Sequence, residues 1–250
     1  MSNRNPRITP QIADWRDEKL PVRPRALPPA GVIECWLMDV GALELAGAQP
    51  GGQVAQQALK LRRRFLLRLI LGAYLGLPGK DLSFVPGPSG KPGLARKQGE
   101  EQGSGGLNFN LSHSGDWLAV AVARDVEVGI DIERDRVVKR AGDLARRYFS
   151  DPEAEHLAAL SEPERSAQFL RLWTVREACT KALGSSLARS LRELKLAPDS
   201  ADLLAVPVDW PGLDRWSVLR VPSPAALNMC VAAPESGMLV RPIRLDCSPP

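Results

Sequence analysis

The chain has 250 residues, 44% of them hydrophobic and 25% charged, with a net charge of +4. That composition is ordinary for a globular protein long enough to bury a core. It excludes a membrane-spanning protein, because no apolar run approaches the ~18 residues a span needs and Arg68 breaks the longest candidate, Phe65–Leu71.

Residues 1–30 hold six Lys or Arg against three Asp or Glu, so the rest of the chain is close to neutral. With no basic–aromatic surface pattern, a nucleic-acid partner is not expected. The same segment carries Pro6, Pro10, Pro21, Pro24, Pro28 and Pro29 and no apolar stretch of a signal peptide. It reads as a disordered leader. Cys35, Cys179, Cys230 and Cys247 are scattered, without a CxxC pair, which fits reduced thiols and a cytoplasmic protein. A monomer is expected.

Ordered structure should begin with a strand at Val32–Met38. The passage from Gly41 to Gln57 is ambiguous. Lys60–Leu75 has helical periodicity, with Leu59, Phe65, Leu66, Leu69, Ile70 and Ala73 on the apolar side and Arg62, Arg63, Arg64 and Arg68 on the polar side. Gly76 and Pro78 end it. A short strand at Leu82–Val85, a turn at Pro86–Pro92 and a Gly-, Glu- and Lys-rich flexible loop at Ala95–Gly106 follow. Two strands, Leu107–Leu111 and Trp117–Ala123, are joined by a turn at Ser112–Asp116. A strand at Val126–Glu133 precedes helices at Leu144–Phe149, Pro152–Leu160 and Glu162–Leu183. Strands at Leu194–Leu196, Leu203–Val206, Trp216–Val221 and Asn228–Ala233 complete the chain, and the tail from Pro234 shows only weak patterning. The order of strands around a helix in each half permits a pseudo-symmetric α+β protein.

Three stretches carry chemistry. In Gly129-Ile130-Asp131-Ile132-Glu133, strand alternation puts Asp131 and Glu133 on one face and both isoleucines on the other. Adjacent carboxylates repel unless a cation bridges them, and hard oxygen donors suit Mg²⁺. In the helix Trp173–Gly184, Glu177 and Lys181 lie four apart on one face. In Asn108–Ser114, His113 is one of only two histidines; the other, His156, reads as surface. The turn Ser89-Gly90-Lys91-Pro92 presents one lysine. Each has a plain structural reading too: an acidic edge, a helix ion pair, a hydrogen-bonding histidine, a solvated turn.

Taken in order, N-[FIL]-S-H, then G-[IV]-D-I-E, then W-x-x-[KR]-E-[AS]-x-x-K-x-x-G, preceded by Gly90-Lys91-Pro92, resemble the Sfp-type 4′-phosphopantetheinyl transferases. The resemblance covers roughly residues 80–187. It implies two similar α/β halves in a pseudo-two-fold arrangement, 31–124 and 125–250, with the active site in the cleft between them. It further implies transfer of the phosphopantetheine arm of coenzyme A to a serine of an apo acyl or peptidyl carrier protein, releasing 3′,5′-ADP. Asp131, Glu133 and Glu177 would hold Mg²⁺. Lys181 and His113 would hold phosphate groups, Ser112 and Lys91 would line the nucleotide side, and Glu177 would be the general base.

The chain departs from the family pattern at three places. Residue 176 is Arg where Lys is usual. Ser185-Ser186-Leu187 stands where many members have Lys-Gly-Leu. The stretch before Lys60 lacks the basic residues that grip the 3′-phosphate in relatives. Lys60, Arg62, Arg63 and Arg64 are the candidates for that role, and Arg64 is assigned to it. Two other readings compete: a non-catalytic member that only binds carrier proteins, and another Mg²⁺-dependent transferase that cleaves a pyrophosphate. Neither a Walker loop nor a strand-linked G-x-G-x-x-G is present.

Overall fold

The computed structural model describes residues 11–43, 53–87, 90–95, 106–184 and 191–248. The expected loop from Ala95 to Gly106 falls almost wholly outside the described residues, as do Ser89, the Ser185–Leu187 departure and the first ten residues of the leader.

In chain order the elements are β1 (Gln11–Ile12), β2 (Arg16–Lys19), β3 (Val32–Asp39), α1 (Gln53–Leu75), β4 (Phe84–Pro86), β5 (Pro92–Leu94), β6 (Leu107–Ser114), β7 (Trp117–Arg124) and β8 (Gly129–Arg134). Then come α2 (Ala141–Tyr148), α3 (Asp151–Ala159), α4 (Glu164–Leu183), β9 (Lys195–Leu196), β10 (Leu203–Ala205), β11 (Ser217–Arg220), β12 (Leu227–Ala233) and β13 (Leu239–Asp246). This is an α+β fold. Among the described residues no helix is long and apolar enough to cross a membrane.

Strand alternation generates the layers. A six-stranded sheet runs β1-β13-β3-β7-β6, with β2 also on β13. Its strand β3 puts Ile33, Cys35 and Leu37 on one face and Trp36 and Met38 on the other. Strand β7 does the same with Ala119, Ala121 and Ala123 against Leu118, Val120 and Val122. The larger side chains pack on Leu66, Ile70 and Leu71 of α1. The small ones face Ile130, Ile132, Met229 and Val231 of the second sheet, ordered β11-β12-β8. On that sheet's far side, Cys230 and Ala232 meet α4, which packs with α2 and α3. The molecule is therefore layered helix, sheet, sheet, helix, with β3, β7 and β12 covered by apolar side chains on both faces.

Three sequence expectations are corrected. The leader is not disordered over its described part. β1 and β2 both pair with β13, Leu20, Val22 and Leu27 pack on the α1 core, and Arg25 lies over the Trp36 ring at 4.6 Å while its Nη1 meets Glu18 at 2.9 Å. Prolines in this segment occupy places without a ladder rather than forbidding order.

The tail from Pro234 is not weak either. β13 is an interior strand, parallel to β3 from Leu239↔Val32 to Leu245↔Met38. It also means that 31–124 and 125–250 do not separate cleanly, because the second stretch lends a strand to the first one's sheet. Pro242 hides this strand from a reading of the sequence. Val240 bonds toward β1, so residue 242, two further on, turns its missing N–H the same way, into the gap between β1 and β2.

Third, β6 continues through Ser112, His113 and Ser114, and only Gly115 and Asp116 form the turn to β7. Gly115 takes the positive φ of 57° that a two-residue hairpin requires. All four cysteines are buried and free.

Candidate active site

β6 and β8 end their respective sheets, and they lie side by side without a backbone ladder between them. Side chains of β6 replace that ladder. Asn110, Ser112 and Ser114 share one face and accept the β8 amides in turn: Ile130 N donates to Asn110 Oδ1 at 3.1 Å, Ile132 N to Ser112 Oγ at 3.3 Å and Arg134 N to Ser114 Oγ at 3.1 Å. The two hydroxyls also donate, Ser112 to Asp131 Oδ1 at 2.8 Å and Ser114 to Glu133 Oε2 at 2.9 Å.

Gly129 brings α4 onto this seam. A Cβ at residue 129 would lie 2.0 Å from the Ala178 carbonyl oxygen and 2.4 Å from Ala182 N, so only glycine admits the helix backbone so close. The approach seats Lys181 over β8. Its Nζ donates to Asp131 Oδ1 at 2.6 Å, Ser112 Oγ at 3.2 Å and Ile130 O at 3.4 Å. Asp131 is buried, and its Oδ2 has no hydrogen-bond partner among the described residues. Burial raises the Asp131 carboxyl above its ordinary range, opposed by Lys181 and Ser112. Glu177, also buried, is pushed up to about 7 by burial first and by the charge of Asp131 next, with Lys181 opposing and Glu133 adding. Lys181 and Asp131 are thus in contact, and the charges of both act on Glu177.

The remaining expected residues are placed differently. Glu133 points toward Ser114 and Arg136, whose Nη1 is 3.3 Å from Oε2. Among the described residues no group of three or more His, Cys, Asp or Glu side chains is gathered closely enough to hold one ion, so the three-carboxylate set is not closed in this arrangement. The donors themselves fit a hard cation: a buried Asp131 oxygen without a partner among the described residues, and a second carboxylate, Glu177, whose pKa burial and the Asp131 charge raise. Asp131 and Glu177 are the residues that would hold it, with Lys181 neutralising Asp131 in its absence.

His113 lies on a strand, not in a turn, and shares the face of Phe109 and Leu111 rather than that of Ser112. It is exposed, and burial of its ring edge followed by the Arg63 and Lys181 charges pushes its pKa below the ordinary value. Lys91 is occupied: its Nζ meets Glu127 at 2.7 Å and the carbonyls of Val128 and Ala182 at 3.2 Å, closing the C-terminal end of α4 against the start of β8. Arg64 is exposed on α1. Arg63, one of the four basic candidates in the sequence though not the one assigned, is the arginine beside His113. It donates to Gly115 O and lies near enough to His113 and Asp116 to act on their charge balance. Ser114 is the residue the sequence reading omits, and its signal is the alternation Asn110, Ser112, Ser114.

Beside the seam, a cavity of about 340 Å³ opens between α4 and β12, lined by Arg171, Thr174, Arg220, Asn228 and Cys230 among others. Asn228 and Cys230 are the cross-strand neighbours of Glu133 and Asp131.

Residues 127–212 match the 4′-phosphopantetheinyl transferase superfamily, and residues 55–125 match the 4′-phosphopantetheinyl transferase N-terminal family. The chain is 36% identical over 181 residues to the 4′-phosphopantetheinyl transferase HetI of a Nostoc species, covering 69% of this chain and 70% of that protein. It is 33% identical over 144 residues to the 4′-phosphopantetheinyl transferase psf-1 of Bacillus pumilus, covering 57% of this chain and 58% of that one. It is 26% identical over 179 residues to the human L-aminoadipate-semialdehyde dehydrogenase-phosphopantetheinyl transferase, covering 67% and 57%. The chain belongs to the 4′-phosphopantetheinyl transferase superfamily and is a transferase of that type.

Proposed function

We propose that this enzyme uses coenzyme A and Mg²⁺ to place phosphopantetheine on a serine of an apo acyl or peptidyl carrier protein. The observation that carries the proposal is the contact of Lys181 with the buried Asp131 on a seam whose backbone is held by Ser112, with the buried Glu177 within range of both charges. Two buried carboxylates facing one lysine suit a polyanion with its counter-cation.

In this reading Lys181 and Ser112 bind the pyrophosphate of coenzyme A, and Arg63 and His113 supply positive charge and a donor from the α1 side. Bound Mg²⁺, held by Asp131 and Glu177, would supply charge neutralisation at the pyrophosphate. The carrier serine Oγ forms a bond to the β-phosphorus as the bond from that phosphorus to the bridging oxygen breaks, so 3′,5′-ADP leaves with the bonding pair. The serine proton passes to the Glu177 carboxylate, whose raised basicity suits it to the task. Such a transfer depends on positioning and electrostatics more than on covalent help.

The test is intact-mass analysis of a panel of apo carrier proteins incubated with this protein, coenzyme A and Mg²⁺. A gain of roughly 340 Da on at least one carrier supports the proposal. No gain on any of them overturns it and favours a carrier-binding role without catalysis. Glu177→Gln should lower the transfer rate by roughly 10²–10⁴ while leaving coenzyme A binding in calorimetry far less affected. Collapse of both together would make Glu177 a metal ligand only.

A further inference from the structure

The seam between β6 and β8 is built to an unusual rule. At two successive outward positions of β6, one hydroxyl accepts a β8 amide and donates to the carboxylate of the preceding β8 residue. Ser112 takes Ile132 N and gives to Asp131; Ser114 takes Arg134 N and gives to Glu133. Each hydroxyl has one proton and accepts on its lone pairs, so accepting the amide forces that proton toward the carboxylate. The third rung, Asn110, takes Ile130 N and, among the described residues, bonds to no carboxylate. It holds the strands without aiming an acid.

We propose that Ser114 is a positioning residue: its hydroxyl locks Glu133 to the β8 backbone and thereby aims that carboxylate at the cation bound by its neighbours. This rests on the proposed reading of the site. Glu133 has a competing partner, the half-exposed Arg136, which reaches both carboxylate oxygens: its Nη1 is 3.3 Å from Oε2 and its Nη2 3.5 Å from Oε1. Ser114 holds Oε2 from the β6 side at 2.9 Å, so its loss leaves the exposed Arg136 as the carboxylate's remaining partner and frees it to follow that side chain. Ser112 does the same for Asp131 but also touches Lys181, so its removal would confound aim with charge. Ser114 isolates the effect.

The experiment measures Mn²⁺ binding in the presence of coenzyme A, read from the loss of the free-ion electron paramagnetic resonance signal. Ser114→Ala should weaken Mn²⁺ binding about 10-fold, the usual effect of removing a hydrogen bond that orients a ligand. Ser114→Thr, which keeps the hydroxyl on a residue suited to strands, should bind like the parent. In a Glu133→Ala background, Ser114→Ala should add nothing. Asn110→Ala should lower the melting temperature without weakening Mn²⁺ binding. Unchanged binding in Ser114→Ala overturns the proposal, as does an undiminished effect in the Glu133→Ala background. Equal weakening by Asn110→Ala also overturns it, since general loosening of the seam would then be the cause. If Glu133→Ala alone binds Mn²⁺ as the parent does, what fails is the placement of the cation beside Glu133, and the aim of that carboxylate has no purpose.

Discussion

Arg176 and Lys181 lie on the same helix, and each meets a carboxylate brought by another element, yet the two pairs are built in opposite ways. Arg176 and Glu153 are fully buried, with Nη2 at 2.5 Å and 2.6 Å from the two carboxylate oxygens. Every guanidinium nitrogen has a partner, Nη1 donating to Leu172 O at 3.4 Å. Arg176 Nε donates to Leu191 O at 3.1 Å, Nη2 to Leu194 O at 3.1 Å, and the guanidinium lies over Phe149 at 4.1 Å. Glu153 also accepts from Leu196 N at 2.9 Å and from Ser150 N at 2.8 Å, the latter closing the capping box of α3. At the other pair, Lys181 keeps 29% of its side chain exposed, Asp131 Oδ2 has no partner among the described residues, and Glu177 adds a second acid. A saturated pair fixes α4 to α3 and the 191–196 segment. An unsaturated one holds electrostatic strain ready for a ligand. Arginine at residue 176, where the family usually has lysine, gains its reason here: the planar fork serves Glu153 and the carbonyls of Leu172, Leu191 and Leu194 at once.

This contrast can be broken at either end. The largest effect should follow Glu153→Ala, which strands a buried guanidinium and removes the α3 cap. A loss of about 3–5 kcal/mol is expected, lowering the melting temperature by on the order of 10 °C in calorimetry, or preventing recovery of soluble protein. Gly129→Ala comes next. A Cβ at 2.0 Å from a backbone carbonyl cannot be accommodated by a side-chain rotation, so α4 must move off β8. Transfer should fall by about 10²-fold, from a misplacement of the order of 1 Å, with a smaller drop in melting temperature than Glu153→Ala.

Third, Glu177→Gln should stabilise the metal-free protein at pH 8. Burial lifts Glu177 from 4.5 to about 7, so between those values the folded chain retains a proton that the unfolded chain has lost. The stability this brings is complete below 4.5 and is gone once pH passes through about 7. Glutamine never loses that proton balance. The variant should match the parent near pH 4 and exceed it at pH 8 by on the order of 2 kcal/mol, measured by denaturant titration in the presence of a chelator. A parent whose stability relative to Glu177→Gln does not change between those pH values would show that the site stores no such strain. The smallest effect belongs to Arg192→Ala. Its 2.8 Å contact with Asp151 is solvent-exposed on both sides, and its loss should cost less than about 1 kcal/mol.

Much of the site is legible in the sequence because its residues sit in short, regular segments. Period two places Asp131 and Glu133 together, and a spacing of four places Glu177 with Lys181. What escapes are partners fixed by the long-range fold. Four arginines on α1 are equivalent in periodicity, and only the return of the β6–β7 turn to α1 distinguishes Arg63 from Arg64. Lys91 reads as a free cation until Glu127 and the end of α4 arrive around it. Ser-His-Ser-Gly-Asp, rich in turn formers, reads as a turn around His113, whereas the pairing Ser114↔Trp117 keeps it in the strand. The fold shows the same limit. Leader prolines and Pro242 suppress any local signal for strands that exist only because β13 slots between β3 and the leader.

That interior strand sets a condition on biosynthesis. β3 leaves the ribosome long before β13, and until β13 arrives the apolar edge of Val32–Asp39 has a partner only on its β7 side. The leader strands have nothing to pair with in that interval. A nascent chain at this stage exposes a long unpaired edge of the kind that invites association with other chains. The helix α4 that completes the active site is also synthesised before this edge is closed. Each chain therefore passes through a window in which its catalytic residues are all present while its sheet is open, and protection of that edge, by a chaperone or by rapid release, would govern the yield of working enzyme.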